Sequence, residues 1–466
     1  MYDLLLIDIP YMEYSMNTEL QVKMHTYRVD CDKIIYKITG VDAKEKENYY
    51  SMGLLCMSSF AKKYISDVSI KYYHYYLNDG CLRTYIKQAK IIAFSTMTVT
   101  FNTVIRVCEE AKLINPKVKI LLGGYHATYF AKEILEQYPS VDWIIKYEGE
   151  MAITNILRGV PFENIEGIAY RDKTGTIKNN PVGEYLCGED IPIPDYPLLG
   201  ENIKKFNVQI QMARGCVGHC NFCVNKNYWK CPRFRNINNI VQEMLYLKNI
   251  FPAGTVIHII DNVFTINKKR LYEILKALER SSLLDYFVFE CDTLASAIDE
   301  EIVRILAKIG VFKIGLGFED CCEKVLSLAG KENFFAKNVA AAMQIKKVSR
   351  NICVYAYWLF GLPGSTISSL EYNLQMIRKL IREDVVDIVS PKIFIPYPGT
   401  DFFANPEKYL MEITSKNWDE YERRNPPFPY KCSTIENTEV YRGLLRAFDI
   451  CHKEYKRKIK GREEND

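Results

Sequence analysis

Short apolar runs alternate with stretches of helical periodicity over the first 150 residues. The runs have the length of strands, and segments such as NTVIRVCEEAKLI, with apolar residues three or four positions apart, separate them. This order predicts an α/β, doubly wound (Rossmann-like) domain with a parallel sheet, whose ligand crevice lies at the carboxyl ends of the strands. The predicted strands are DLLLIDI, DVSIKYYHYY, AKIIAFS, VKILLGG and DWIIKYEGE.

A second alternating series follows a stretch rich in Pro, Gly and Asp. Its strands are FNVQIQMA, GTVIHIID, YFVFECD, VFKIGLGFE, VYAYWLFGLP and DIVSPKIFIPYPGT, and helical segments separate them. A closed barrel of this kind needs eight such units, so the series predicts a partial (β/α)6 barrel of the TIM type. The predicted organisation is a first domain at 1–180, a linker at 181–204, the barrel at 205–405 and a mainly helical carboxyl-terminal segment at 406–466.

Charge and composition narrow the classes of partner. The chain has 466 residues, with 61 basic and 57 acidic side chains and a net charge of +4, which gives no overall reason to expect nucleic acid. No apolar run has the length of a membrane span, and the first residues lack the pattern of a secretory signal. The 15 cysteines are scattered along the chain, which fits a reducing compartment. We expect a cytoplasmic monomer without a membrane span.

Three cysteines stand close together in ARGCVGHCNFCVNKNYW, at Cys216, Cys220 and Cys223. A structural zinc site uses four ligands, which would require His219 or Cys231 to complete the set. A cubane iron-sulfur cluster held by three thiolates keeps one iron open to bind a small molecule and pass it an electron. The triplet follows the first predicted barrel strand, at the end where barrel enzymes keep their chemistry. A cluster is therefore the preferred interpretation and zinc the alternative.

The Cys-x3-Cys-x2-Cys spacing in this position resembles the defining motif of the radical S-adenosylmethionine (SAM) enzymes. The resemblance implies a [4Fe-4S] cluster held by the three cysteines, with SAM bound to the open iron and cleaved to a 5′-deoxyadenosyl radical. The segments HIIDNVFTIN, KIGLGFEDCCEKVLSLAGK, FGLPGST and PYPGT resemble later segments of the family's barrel in the expected order. By this resemblance, the residues expected near SAM are Phe222, Asp261, Asn262 and Glu319.

The first domain carries its own candidate site. In ILLGGYHAT a strand leads through two glycines into a helix, a place where backbone can approach a bulky ligand. Taken with SMGLLCMSSFAKK, IIAFSTMT, KYEGE and IEGIAYRDKTGTIKNNP, it resembles the cobalamin-binding domain of the class B radical SAM enzymes. The Asp-x-His-x-x-Gly motif of cobalt-ligating domains is absent, so we expect no protein histidine on the cobalt. The residues expected near cobalamin are Ser95, Thr96, Gly123, Gly124 and, as a hydrogen-bonding loop residue, His126.

Together these resemblances imply a cobalamin-dependent radical SAM enzyme, and the function expected first is methyl transfer from methylcobalamin to an unactivated carbon. One alternative is a radical cyclisation, rearrangement or oxidation on the same scaffold without methyl transfer. Another is a radical SAM enzyme whose first domain is a binding module without cobalamin. The expected partners are a small-molecule or peptide substrate and an external one-electron reductant of the flavodoxin or ferredoxin type. The pattern of residues does not assign a catalytic side chain.

Overall fold

A computed structural model provides the fold. It describes residues 1–11, 18–44, 46, 48–77, 80–331, 334–424 and 426–463. The chain forms two compact units, the first made of residues 1–12 and 46–206 and the second of residues 13–45 and 207–466. The stretch 13–45, which the sequence analysis placed in the first domain, therefore belongs to the unit that contains the barrel.

The strands of the described residues fall into a mixed seven-stranded sheet, a parallel six-stranded sheet and two short antiparallel pairs. They are β1 Tyr2–Asp8, β2 Ile70–His74, β3 Ala89–Ser95, β4 Lys119–Gly123, β5 Trp143–Ile145, β6 Ile168–Arg171, β7 Ile177–Asn179, β8 Val208–Ile210, β9 Ala213–Arg214, β10 Arg233–Phe234, β11 Thr255–Ile259, β12 Phe287–Thr293, β13 Val311–Glu319, β14 Cys353–Phe360, β15 Ile388–Ile393, β16 Met411–Ile413 and β17 Tyr430–Cys432.

The α-helices connect most of these strands as crossovers. They are α1 Thr18–Thr39, α2 Met52–Tyr64, α3 Leu82–Gln88, α4 Phe101–Ile114, α5 Gly124–Tyr129, α6 Ala131–Gln137, α7 Glu150–Leu157, α8 Asn225–Tyr228, α9 Ile237–Lys248, α10 Lys268–Arg280, α11 Glu300–Ile309, α12 Glu323–Leu328, α13 Phe334–Val348, α14 Ile367–Arg382, α15 Asp401–Ala404 and α16 Asn437–Glu463. No helix of the described residues combines the length and the apolar character that crossing a membrane requires.

The sheet of the first unit has the order β2-β1-β3-β4-β5-β6-β7. Its first five strands are parallel, which confirms the predicted doubly wound domain. The last two run antiparallel and extend the sheet beyond the predicted strands. The chain direction across the sheet reverses between β1 and β3, and in sheets of this order ligands bind at the carboxyl ends of the strands beside that point.

The predicted linker packs on the first unit. Ser58 donates a hydrogen bond to Asp195 at 2.6 Å, and the Lys62 ammonium lies 2.6 Å from the same carboxylate. Tyr196 and Phe206 are buried, and the Tyr50 ring contacts both of them edge-on. The segment is irregular because Pro and Gly interrupt it, but it is part of the packed unit.

The sheet of the second unit has the order β15-β14-β13-β12-β11-β8, with all pairs parallel. This confirms the predicted partial (β/α)6 barrel. On β12 and β14, buried residues alternate with more exposed ones. One face therefore packs against the helices, and the other lines the open inner side of the barrel.

Helices from both ends of the chain cover the last strand of the barrel sheet. Helix α1 packs along α16, and α16 also contacts α14 and β15. The Tyr27 hydroxyl donates to the Val389 carbonyl at 2.8 Å, and the Tyr455 hydroxyl accepts from the Val389 N–H at 2.7 Å. These two tyrosines form hydrogen bonds with backbone groups that would otherwise lack a partner at the edge of the sheet. The carboxyl-terminal segment is mainly helical, as predicted, with the β16–β17 pair before α16.

Candidate functional site

The three cysteines lie in a loop that a short antiparallel ladder closes. Ala213 pairs with Phe234 and Arg214 with Arg233, so the loop leaves and rejoins the barrel at one place. Gly215 has a φ of 98°, and a Cβ there would come within 2.8 Å of the Cys231 carbonyl carbon. Only glycine meets both conditions without displacing backbone. The base of the loop is thus fixed next to the first cysteine.

Asn221, between the second and third cysteines, connects the loop to the rest of the barrel. Its N–H donates to the Ala329 carbonyl at 3.0 Å, and its side-chain Nδ2 donates to the Leu328 carbonyl at 2.9 Å. Its own carbonyl accepts the Asp401 N–H at 3.1 Å, and its Oδ1 accepts from Lys226 Nζ at 3.0 Å. One residue therefore joins the cysteine loop to the segments that follow β13 and β15. No residue-level signal in the sequence analysis pointed to Asn221.

The sulfurs of Cys216 and Cys220 lie beside Gly218, a position without a side chain. The Gly218 N–H donates to Cys216 Sγ at 3.2 Å, and a Cβ on Gly218 would lie 3.3 Å from Cys216 Sγ and 3.8 Å from Cys220 Sγ. Cys216, Cys220 and Cys223 are all partly exposed. Burial raises the pKa of Cys220 to about 11, against the opposing charge of Lys331, and burial also raises the pKa of Cys223. A metal bound at these sulfurs would favour the thiolate form.

The three thiols match the donor set of a [4Fe-4S] cluster with one open iron, because each thiolate holds a separate iron. Within the part of the chain that the structure describes, no group of three or more His, Cys, Asp or Glu side chains is placed to hold a single metal ion. The residues that would hold the cluster are Cys216, Cys220 and Cys223.

A buried ion pair lies beside the cysteine loop. Lys331 Nζ is 2.8 Å from Glu319 Oε1 and donates to the Gly317 carbonyl at 3.2 Å. The same ammonium lies 5.5 Å from the centroid of the Phe222 ring. Burial acts to lower the pKa of Lys331, but the charges of Glu319 and Cys220 outweigh it, so the pKa is raised and the lysine stays cationic. The structure thus brings two of the residues predicted near SAM, Phe222 and Glu319, to one lysine.

Glu319 occupies a distorted end of its strand. Its φ is 61°, and the pairing of β13 with β14 shifts register between Gly317 and Glu319. The bulge turns the carboxylate back over Gly317, where a side chain would collide with both Glu319 and Lys331. Lys331 is the functional candidate that the sequence analysis missed. It ends the segment KIGLGFEDCCEKVLSLAGK, but no spacing distinguishes it from a surface lysine.

Asp261 and Asn262, two of the residues predicted near SAM, form hydrogen bonds with the start of the cysteine loop and with the segment that follows the third cysteine. Asp261 is buried, and its Oδ1 accepts the N–H groups of Met212 at 2.7 Å and Ala213 at 3.0 Å. Burial raises its pKa to about 7. Asn262 is partly exposed, and its Oδ1 accepts from Asn225 Nδ2 at 2.7 Å. The Asp261 carboxylate therefore binds backbone groups of the protein, whereas the Asn262 side chain is partly exposed to solvent.

The residues predicted near cobalamin lie at the carboxyl ends of β3 and β4. Ser95, Gly123 and Gly124 are partly exposed, whereas Thr96 is fully buried. The Thr96 hydroxyl donates to the Gly123 carbonyl at 2.7 Å. Gly124 has a φ of 90°, and a Cβ there would lie 2.7 Å from Thr96 N and O. The exposed glycine backbone fits the close approach of a bulky cofactor.

His126 lies on helix α5 rather than in a loop. Its ring is 1% exposed and packs between Phe101, at 4.2 Å, and Phe130, at 5.1 Å between centroids. Burial lowers its pKa to about 3, so the imidazole is neutral. The ring's Nδ1 lies 3.3 Å from the Thr98 hydroxyl. The ring is thus buried and neutral, and it lies within hydrogen-bonding distance of Thr98.

Asp8 is a second residue that the sequence analysis did not single out. It ends β1, at the point where strand order reverses, and its carboxylate is buried. Oδ2 accepts the Ser51 N–H at 2.6 Å and the Tyr72 hydroxyl at 2.5 Å. Burial raises the pKa of Asp8 to about 6. The strand-ending Asp was visible in the sequence, but its burial was not.

Comparison with family models finds two domains in the chain. Residues 42–157 match the B12 binding domain, and residues 210–377 match the Radical SAM superfamily. The first match contains Ser95, Thr96, Gly123 and Gly124, and the second contains the three cysteines.

Two curated relatives illustrate the range of named activities. The chain is 24% identical over 369 residues to an uncharacterized methyltransferase of Pyrococcus horikoshii, and the match covers 77% of each protein. It is 25% identical over 327 residues to the anaerobic magnesium-protoporphyrin IX monomethyl ester cyclase of Rubrivivax gelatinosus. That match covers 67% of this chain and 58% of the cyclase, so the chain spans less than two thirds of the cyclase's length.

The fold also resembles that of a solved enzyme with bound cofactors. The cobalamin-dependent radical enzyme OxsB, with aqua-cobalamin and SAM bound, superimposes with a TM-score of 0.70 at 14% identity. The match covers 95% of this chain and 65% of OxsB. At this identity the likeness shows a shared fold. Both domain matches agree with it, and they indicate cobalamin, SAM and a [4Fe-4S] cluster as the cofactors. The chain therefore belongs to the cobalamin-dependent radical S-adenosylmethionine enzymes.

Proposed function

We propose that the protein is a methyltransferase that places a methyl group on an unactivated carbon of its substrate. The observation that carries the proposal is the presence of a B12 binding domain and a radical SAM domain in one chain, with three partly exposed cysteines on one loop of the second domain. The relative from Pyrococcus horikoshii, which matches over 77% of each protein, supports it because it is named a methyltransferase.

The cofactors supply the chemistry that side chains cannot. When bound, the cluster supplies the electron that cleaves SAM, and cobalamin carries the methyl group. The task of the chain is to hold these groups and to exclude water. In this proposal Cys216, Cys220 and Cys223 bind the cluster, and the ladder β9–β10 fixes their loop.

Phe222, Asn262, Glu319 and Lys331 form the proposed SAM site. The cationic Lys331 beside Glu319 offers a charge for a carboxylate, and Phe222 offers a ring face for a base. Asp261 contributes by holding the start of the cysteine loop. Ser95, Gly123 and Gly124 form the accessible part of the proposed cobalamin site.

The second candidate function is a radical cyclisation or oxidation without methyl transfer. The relative named a magnesium-protoporphyrin IX monomethyl ester cyclase favours it, since that enzyme matches 67% of this chain. The two functions consume SAM differently. Methyl transfer with hydrogen abstraction gives S-adenosylhomocysteine and 5′-deoxyadenosine together, whereas the alternative gives no S-adenosylhomocysteine.

The test uses protein reconstituted anaerobically with iron, sulfide and hydroxocobalamin. It is supplied with SAM labelled with deuterium in the methyl group, a chemical reductant and fractions of candidate small molecules or peptides. A labelled product together with S-adenosylhomocysteine would support the proposal. Abundant 5′-deoxyadenosine and a converted substrate without the label would contradict it and favour the second function. A variant with all three cysteines of the motif changed to Ala is the control and should form neither 5′-deoxyadenosine nor labelled product beyond background.

A further inference from the structure

The inner face of the barrel sheet carries charged and polar side chains where a packed core would be apolar. In the layer nearer the amino ends of the strands, Glu290 forms ion pairs with His258 on one neighbouring strand and with Lys313 on the other. The three side chains are 12–14% exposed. Each lies opposite its partner in the strand register. The Glu290 carboxylate is thus paired with the two side chains beside it. This row covers the amino-terminal side of the inner face without an unpaired carboxylate.

The next layer, toward the carboxyl ends of the strands, differs because it contains the exposed carboxylate of Asp292. Asp292 lies opposite Gly315 in the register, and Tyr357 lies opposite Gly317. The Tyr357 hydroxyl donates to Asp292 Oδ1 at 2.9 Å, across the face of Gly315. A Cβ on Gly315 would come within 2.8 Å of the Tyr357 ring and closer still to the carboxylate. The absence of a side chain at Gly315 is what allows the pair to form.

Asp292 is exposed on this face, unlike Glu290. Its Oδ1 accepts from Tyr357, and among the described residues Oδ2 has no hydrogen-bond donor. Each oxygen of a carboxylate accepts more than one hydrogen bond, so Oδ2 has room for a donor. A ligand that presents an N–H or O–H group would supply that donor.

The pair also lies close to the cysteine loop. Gly315 and Gly317 point to the same face of β13, and two residues of a strand span about 7 Å. The carboxylate of Glu319 and the ammonium of Lys331 lie over Gly317, and Lys331 acts electrostatically on Cys220. The Asp292–Tyr357 pair is therefore one layer away from the group of residues that includes the cluster ligands.

We propose that Asp292 and Tyr357 form a substrate-anchoring site, which takes a polar substrate that presents a hydroxyl or amine hydrogen to the Asp292 carboxylate. The assignment rests on the proposed function, because it places the substrate in the barrel that would generate the radical. Lys392 Nζ lies 5.9 Å from the centroid of the Tyr357 ring. The charge of Lys392 opposes binding of a second cation beside Asp292. The experiment therefore tests a neutral alcohol and an ammonium separately.

The experiment measures binding of three probes with one carbon skeleton: cyclohexanol, cyclohexylamine and cyclohexanecarboxylate. Ligand-observed NMR is recorded on reconstituted wild type, Asp292→Asn, Tyr357→Phe and Gly315→Ala. Asp419→Asn, an exposed aspartate of the same unit, is the matched control. The alcohol or the amine should bind the wild type and the control equally, and Asp292→Asn about 10-fold more weakly. Gly315→Ala should weaken binding similarly, and Tyr357→Phe less.

Equal binding to Asp292→Asn and wild type would overturn the proposal, as would preference for the carboxylate or binding of none of the probes to the wild type. Asp292→Asn is nearly isosteric, so its circular dichroism should match that of the wild type. The corrin and cluster absorbance of every variant is recorded in parallel. Absence of those bands in the reconstituted wild type would count against the proposed function itself. Normal bands together with unchanged probe binding by Asp292→Asn would count against the anchoring site alone.

Discussion

Lys331 Nζ lies 2.8 Å from Glu319 Oε1, and the two side chains are 4% and 9% exposed. Neither partner is adjacent to a cysteine in sequence, yet the lysine acts electrostatically on both Cys220 and Cys223. The pair thus links the distorted end of β13 to the cysteine loop.

Removing one partner of this pair should be worse than removing both. Lys331→Met leaves the Glu319 carboxylate buried and unpaired, which should lower the free energy of unfolding by about 3–5 kcal/mol. The double variant Lys331→Met, Glu319→Gln should lose less, because no charge remains alone. Urea unfolding of the cofactor-free protein measures both. The exposed pair Lys269 and Glu273 is the control and should contribute well under 1 kcal/mol. A double variant as unstable as Lys331→Met would show that the two residues do not act as a pair.

Asn221 should be required for retention of the cluster. Asn221→Ala removes the side-chain hydrogen bonds to Leu328 and Lys226, so the cysteine loop loses support on two sides. Supporting residues of this kind change metal affinity by about 10–100-fold. Iron retained by reconstituted protein during a chelator challenge measures the effect. Asn227→Ala removes one exposed hydrogen bond to Gly399 and should behave like the wild type. If both variants keep iron equally well, the hydrogen bonds of the Asn221 side chain are not needed to retain the cluster.

Alanine substitutions at Gly215 and Gly254 distinguish the cost of backbone strain from the cost of a steric clash. Both have positive φ, 98° and 83°, but only Gly215 faces backbone atoms of Cys231, whereas nothing lies within 4 Å of a Cβ on Gly254. Gly254→Ala should cost about 1–2 kcal/mol of stability, the cost of the backbone conformation alone. Gly215→Ala should cost more and should also reduce the iron bound on reconstitution, because the loop base must shift. Thermal unfolding and iron analysis test this, and equal stabilities for the two variants would contradict it.

Asp8 should make the first unit less stable as pH rises. Its pKa is 3.8 ordinarily and about 6 in the folded protein, so between these values the folded state binds the proton more tightly than the unfolded state. Stability from this group is present below pH 4 and is lost as pH rises through 6, by about 3 kcal/mol in total. Asp8→Asn does not titrate. Its free energy of unfolding relative to the wild type should therefore increase between pH 4 and pH 7. A difference that does not change with pH would show that the pKa of Asp8 is not raised in the folded protein.

Tyr455 should stabilise the edge of the barrel sheet. Tyr455→Phe removes the acceptor of the Val389 N–H and leaves that group buried, at a cost of about 1–3 kcal/mol. Tyr36→Phe on α1 is the control, because Tyr36 is 63% exposed and the change should be neutral. Denaturant unfolding of the two variants gives the comparison. A neutral Tyr455→Phe would mean that another group satisfies Val389.

Local pattern predicted most of the fold because strands and helices have different repeats. The alternation along β12 and β14 and the three-to-four spacing along α10 and α14 follow from which face each element buries. The spacing of three cysteines was equally local, since their loop is one continuous segment. The β6–β7 hairpin was missed although its turn, Asp172 to Thr176, is local.

The order of strands and helices, the open six-stranded barrel and the cysteine triplet follow from the sequence, because each depends on residues near one another in the chain. Which distant groups meet depends on the folded structure. Helix α1 shows this, since its apolar positions recur every three or four residues but nothing in them indicates that they pack on the barrel unit. Lys331 beside Glu319, and Tyr357 reaching Asp292 across Gly315, depend on the register of neighbouring strands. Apolar burial is not directional, so a sequence shows that a side chain must find a partner but does not show which one.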